Sequence, residues 1–300
     1  MKNKIYSPFL ILSCCFFSAN AQTNIYSLAT VPEVLKNNAA VIMQKEDINL
    51  EIENLEKASL NVHEIFTVMN EDGQAALLFN EYSTKYRSLD DAEMRVYDQN
   101  GKQVNKFKKK DMTTVAVGEG LVEDGYMTYY RVKPMSYPVT VEVTYEQKLK
   151  STLSIPDFRF IAAKEAVVES NYTATVPTEI GLRYKAVHSS ITPMVTAEGK
   201  NTVYKWSVKN LPAMDDEEGS VSARNRFPYV NIVTNQFSHY GFQGDLSTWK
   251  SFGAWINDLY KGLDELPDAQ QQFLQHLVSD APNETEKIRR IYQTHRSAAG

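Results

Sequence analysis

Between about Ala39 and Asn235 the chain alternates apolar and polar positions. In Val139–Glu146, the residues Val139, Val141, Val143 and Tyr145 fall on one side. Thr140, Glu142, Thr144 and Glu146 fall on the other. That period of two predicts a strand with one face in a core and one in water. Thr202, Tyr204, Trp206 and Val208 repeat the pattern, with Val203, Lys205, Ser207 and Lys209 between them. Val168, Tyr172, Ala174 and Val176 trace another strand, ended by Pro177.

Turn signals punctuate these runs. Asn100-Gly101 predicts a hairpin with positive φ at both turn positions. Glu71-Asp72-Gly73 separates HEIFTVMN from QAALLFNEY in the same way, and Glu198-Gly199-Lys200-Asn201 separates PMVTA from TVYKWSV. Many strands joined by tight turns, with no helical period between them, predict a mainly β fold: an antiparallel β-sandwich of two packed sheets, extended lengthwise by further strands.

After about Phe242 the period changes. Trp249, Phe252, Ile256, Leu259 and Leu263 step by three and four, with Ser247 as a cap. Ala269, Phe273, Leu277 and Val278 do the same after Pro267. Asn283 is placed to cap a third helix with Glu286 at its third position, as in a capping box, and Ile288, Ile291 and Tyr292 share one face. The final THRSAAG has no apolar period and is expected to end that helix. These helices follow a polar stretch, MDDEEGSVSARNRFP, and place a domain boundary near residue 240. The expected organisation is a leader over 1–21, a β-sandwich over 22–240 and a short α-helical segment over 241–300.

The N-terminus has the pattern of a secretory leader. Lys2 and Lys4 precede the apolar run Phe9–Phe17, and Ala19-Asn20-Ala21 is a small-x-small site, so cleavage is expected after Ala21. The run is too short to span a bilayer. Lipidation at Cys14 or Cys15 is the alternative reading and is not the one expected, since Cys15 as a first residue would truncate the apolar run. The expected location is therefore periplasmic or secreted, with no transmembrane segment after cleavage. Both cysteines lie in the leader, so the exported chain has none. That excludes disulfides, a cysteine nucleophile and thiolate metal sites. The net charge of −5 becomes more negative once Lys2 and Lys4 leave, which argues against nucleic-acid binding. The 17 Tyr and 13 Phe suit a half-buried pleated surface.

Candidate chemistry resolves into structural roles. Asp215-Asp216-Glu217-Glu218 lacks the alternating ligand spacing of a calcium loop. Lys106, Lys108, Lys109 and Lys110 fit a lysine-protected edge strand. His63-Glu64 would need a second histidine at 67, which is Thr67, so a zinc-protease motif fails. His63, His188, His239, His276 and His295 are scattered singly. Gly118-Glu119-Gly120 is a turn without the lysine of a phosphate cradle, and Ser220 and Ser222 lack a hydrolase elbow. Tyr240, Phe242, Trp249 and Trp255 are expected to pack the first helix against the sandwich, with a carbohydrate platform as the alternative. The acceptor patterns at Asn171 and Asn283 are taken as chance. No catalytic, cofactor-binding or metal-binding residues are expected, and no cofactor.

Three stretches carry a resemblance: NVHEIFTVMNEDGQAALLFNEY, FRFIAAKEAVVESNYTATVP, and TWKSFGAWINDLYKGLDEL followed by ETEKIRRIYQ. The chain resembles domain of unknown function 3857, found in Bacteroidetes-type bacteria ahead of transglutaminase-like domains. The resemblance covers about three quarters of the chain. It implies an exported protein whose second, papain-like domain would use a Cys-His-Asp triad. No position here matches those residues, so the chain is expected to be non-enzymatic and to break off before the catalytic core. A fragment, a frameshift or a truncated gene would explain this. The implied role is to position substrate or anchor the enzyme domain. The alternative is a self-standing periplasmic or cell-surface module for protein, peptide or glycan.

Overall fold

The computed structural model describes residues 25–117, 125–215, 219, 226–263 and 265–298. The leader with its cleavage site, Gly118-Glu119-Gly120, Asp216-Glu217-Glu218, Ser220 and Ser222 lie outside the described residues.

Among the described residues a short helix α1 (Glu33–Lys36) precedes fifteen strands. They are β1 (Val41–Asn54), β2 (Lys57–Val68), β3 (Leu78–Ser83), β4 (Arg87–Tyr97), β5 (Gln103–Lys108), β6 (Thr113–Val117), β7 (Gly125–Arg131) and β8 (Val139–Leu149). There follow β9 (Glu165–Pro177), β10 (Leu182–Val187), β11 (Met194–Glu198), β12 (Asn201–Leu211), β13 (Tyr229–Thr234), β14 (Gln236–His239) and β15 (Phe242–Asp245). The fold is mainly β, as expected. Eight strands form one sheet in the order β11-β12-β9-β1-β2-β8-β4-β5. Every pairing in it is antiparallel except β1 with β9. That parallel pair is the one feature period-two patterning does not encode, because alternation is blind to strand direction.

The second layer is split. The three-stranded sheet β3-β7-β6 and the pair β10-β13 cover opposite ends of one face of the large sheet. One core gathers Leu60, Phe158, Tyr172, Trp206 and Ile232. The other gathers Phe66, Phe79, Met94 and Val141. On the opposite face, Val31 and Leu35 pack on Ile42 and Ala166. The β4–β5 and β11–β12 hairpins form where their turns predict. At the first, only Gly101 has positive φ, at 76°. Asp98 Oδ1 accepts from the Asn100 and Lys102 amides there, which relieves Asn100 of that conformation. Glu71-Asp72-Gly73 is not a hairpin turn. It belongs to a 3₁₀ segment, Glu71–Leu77, that carries the chain from the large sheet to the small one. Gly73 is needed because a Cβ there would meet the Ala40 carbonyl at 2.4 Å.

Two in-or-out expectations change. Thr140 and Glu142 are buried rather than wet, because the segment before β1 and neighbouring side chains cover that face. Val168 joins Ile42 and Ala166 on the face opposite Tyr172. The ladder skips between Met43–Val167 and Glu46–Ser170, and that skip shifts its phase.

After β15 come α2 (Trp249–Tyr260), α3 (Asp268–Val278) and α4 (Glu284–Ala298). Thr248, not Ser247, caps α2, through a reciprocal pair with Ser251, while the Ser247 amide donates to Asp245. Asn283 Oδ1 caps α4 by accepting from the Glu286 amide at 2.9 Å. Glu286 turns its carboxylate to Arg289 and Arg290. Contrary to expectation, α4 runs on through Thr294, His295 and Arg296. Trp255 is the buried anchor of α2, edge-on to Phe237, whereas Trp249 is 89% exposed.

Candidate functional site

The turn from β3 to β4, the strand end and loop 149–154 after β8, and the β14–β15 hairpin tip converge at one end of the sandwich. Between them lies a cavity of about 380 Å³, lined by Tyr82, Lys85, Tyr86, Arg87, His239 and Tyr240 among others. Its position follows from local rules. Tyr240 (φ 56°) and Gly241 (φ 80°) make the left-handed turn that throws Tyr240 outward from the hairpin. Gly125 lets the Tyr82 ring lie flat across it, since a Cβ there would meet the phenol oxygen at 2.1 Å.

The aromatic geometry is tight. Tyr86 and Tyr240 meet edge to face at 4.7 Å between centroids, and His239 meets Tyr240 at 4.3 Å. Lys85 Nζ sits 5.4 Å and 5.3 Å from the Tyr86 and Tyr240 centroids. Lys85 makes no ion pair among the described residues. Arg87 reaches the Ser154 carbonyl at 3.4 Å. Among the described residues, no carboxylate lines this cavity. Beyond the shared residues Tyr86, Leu149 and Tyr240, a second, open cavity of about 850 Å³ continues the groove. It mixes Glu53, Glu56 and Glu146 with Lys57, Lys148 and Lys150.

His239 and Ser151 bear the geometry of a base and nucleophile without its chemistry. Ser151 Oγ donates to the Ser238 carbonyl at 2.7 Å and accepts from the Leu153 amide at 3.3 Å. Its proton is committed, so His239 Nδ1, 2.9 Å away, is the donor. Burial lowers the His239 pKa and holds the ring neutral. No acid among the described residues orients it, in contrast to a triad. The pair locks the hairpin to the sandwich and leaves Nε2 as an acceptor.

Two other polar constellations sit on the large sheet. Alternation puts His63 and Glu64 on opposite faces. His63 Nε2 lies 2.8 Å from Glu142, which also accepts from Tyr97 at 2.8 Å and Arg95 at 3.1 Å. On the other face, Glu46, Glu64, Glu165 and Glu81 lie in the seam between the two cores. Burial raises Glu46 to about 7 and Glu64 and Glu165 to about 8; the Glu46 carboxylate adds to the rise of Glu64 and Glu165, and Asp47 adds to that of Glu46. No group of three or more His, Cys, Asp or Glu among the described residues is arranged to hold a metal ion.

Of the residues singled out from sequence, Tyr240 and His239 enter the groove. Trp255 packs α2, and Phe242 and Trp249 are exposed. Lys106 pairs with Glu93, and Lys109 reaches the Leu89 carbonyl, as edge-strand lysines should. Asn171 is held by Asp47 and Glu169. Lys85, Tyr86 and Ser151 were missed. The run Tyr82-Ser-Thr-Lys-Tyr86-Arg87, dense in aromatic and basic residues at a turn, was the available signal. Glu64 was legible too, since it stands in phase with Leu60, Val62, Phe66 and Val68.

The chain belongs to the DUF3857 family of domains of unknown function, whose model matches residues 56–215. A candidate protease from Parabacteroides distasonis shares the fold, with a TM-score of 0.63 at 13% identity. That match covers 85% of this chain and 50% of the other, so this chain spans half the length of that structure. An M1 zinc metallopeptidase from Deinococcus radiodurans aligns at a TM-score of 0.31 and 10% identity, over 65% of this chain and 42% of that one. Yeast LTA4 hydrolase with bestatin aligns at 0.30 and 8%, over 67% and 29%. Scores so low carry no argument. No curated protein matches the chain.

Proposed function

We propose that this chain is the non-catalytic, N-terminal part of an exported transglutaminase-like protein. Its sandwich positions substrate for, or anchors, an enzyme domain to which α2–α4 contribute the first helices. The carrying observation is the unburied apolar surface of those helices. Tyr260, Phe273, Ile288 and Tyr292 are each more than half exposed, although they stand in helices of amphipathic spacing. Apolar faces of that extent ordinarily have a partner. The half-length match to a larger protein supports the same reading. Export rests on the leader pattern of residues 1–21. No described helix is long and apolar enough to cross a membrane.

The test is the intact mass of the native protein, recovered from its producing cell with an antibody to the sandwich. A mass well above that of residues 22–300 is expected, with a cysteine, histidine and acid downstream. A mass equal to residues 22–300 would overturn this reading. It would favour the second one, a self-standing binding module, for which the tyrosine-lined groove is the supporting feature.

A further inference from the structure

We propose that the groove across Tyr86 and Tyr240 binds an extended acidic peptide, with one ligand carboxylate seated between Lys85 and Arg87. The inference deepens the substrate-positioning role and rests on it for its setting in the larger protein.

Charge complementarity selects the ligand. Among its described lining residues the first cavity has two cations, tyrosine and serine hydroxyls, and no carboxylate. Lys85 is held over two rings rather than against an acid, so its charge is available to an incoming anion. Arg87 is partly shared, since it acts on Glu81 on its inner side. A buried or half-buried carboxylate meeting these donors would form charge-assisted hydrogen bonds, roughly twice as strong as neutral ones.

The same geometry disfavours sugars. Stacking a sugar needs an open aromatic face. Here Lys85 stands over Tyr86 and Tyr240, and the Tyr82 ring lies on Gly125. A polyuronate would also run from the cationic cavity onto Glu53, Glu56 and Glu146 in the adjoining one. A peptide can change its charge along its length and meet both halves. His239 Nε2, neutral and acceptor only, suits a peptide N–H.

The experiment probes the full chain on an array of octapeptides carrying a central Glu, Gln or Lys with varied flanks. The strongest peptide is then measured by fluorescence anisotropy. Glu peptides should be enriched, and replacing Glu by Gln should weaken binding about tenfold, the loss expected for one charge-assisted contact. Lys85→Ala and Tyr240→Ala should each weaken it several-fold, while Lys102→Ala, in the distant β4–β5 turn, should not. Lys85 and Tyr240 project from turns, so circular dichroism should show both variants folded. Equal binding of the Gln peptides, no enrichment, indifference to both groove variants, or capture of an oligogalacturonate in place of any peptide would overturn the proposal. The result is independent of the native mass: a chain ending at residue 300 could still bind peptide, and a longer protein could fail to.

Discussion

Glu64 and Glu142 sit on neighbouring strands of one sheet and have opposite fates. Glu142, on β8, is buried, and burial alone would push its carboxyl up. Hydrogen bonds from His63, Tyr97 and Arg95 outweigh that and hold it below the ordinary carboxylate range. Glu64, on β2, projects from the opposite face into the seam between the two cores. No described residue donates a hydrogen bond to it, and burial pushes it up to about 8, with Glu46, Glu165 and Glu81 adding to the shift. Burial is common to both. The donors decide the sign.

The largest expected effect is from removing the satisfied acid. Glu142→Ala deprives Tyr97 and Arg95 of their acceptor and should cost about 3 kcal/mol in urea unfolding at pH 7. A loss under about 0.5 kcal/mol would show that the network is idle and break the comparison. Glu64→Gln should go the other way and stabilise the protein by about 2 kcal/mol at pH 8.5, with no gain near pH 4. Destabilisation at both pH values would mean that Glu64 has a partner after all.

The unsubstituted protein should show the same sign. The folded pKa values of Glu46, Glu64 and Glu165 lie above their ordinary value of 4.5. Between about 4.5 and 8 the folded state therefore holds more protons than the unfolded one, and their contribution to stability falls as pH rises. Glu142 acts oppositely: its contribution is present above the ordinary carboxylate pKa and is lost as pH falls through its lowered value. A melting temperature lower at pH 8.5 than at pH 6 is expected, and the difference should shrink in Glu64→Gln. The smallest effect is expected from His63→Gln. Arg95 and Tyr97 still hold Glu142, so the cost should stay below about 1 kcal/mol. A larger loss would make His63 the principal partner.

Much of the fold was legible because it depends on local periodicity. The β4–β5 and β11–β12 hairpins, the Asn283 cap and the lysine-guarded edge at β5 all follow from neighbours in sequence. The candidate groove was less so. Tyr86, Ser151 and His239 are separated by 65 and 88 residues along the chain, and only the sheet order brings them together. Trp206, Trp255 and Trp249 show the same limit. Each sits in an apolar pattern, yet Trp206 is 1% exposed among three tyrosine rings and Trp249 is 89% exposed.

Residue order alone marks where strands give way to helices, because side-chain period two or 3.6 is written residue by residue. Composition shows, too, that residues 22–300 contain no cysteine. The tertiary structure alone decided that β1 and β9 run parallel and that the covering layer is split in two. It also put Glu142 among donors and Glu64 in a seam without them. Those outcomes depend on which distant segments meet, and burial and hydrogen bonding act on that proximity rather than on order along the chain.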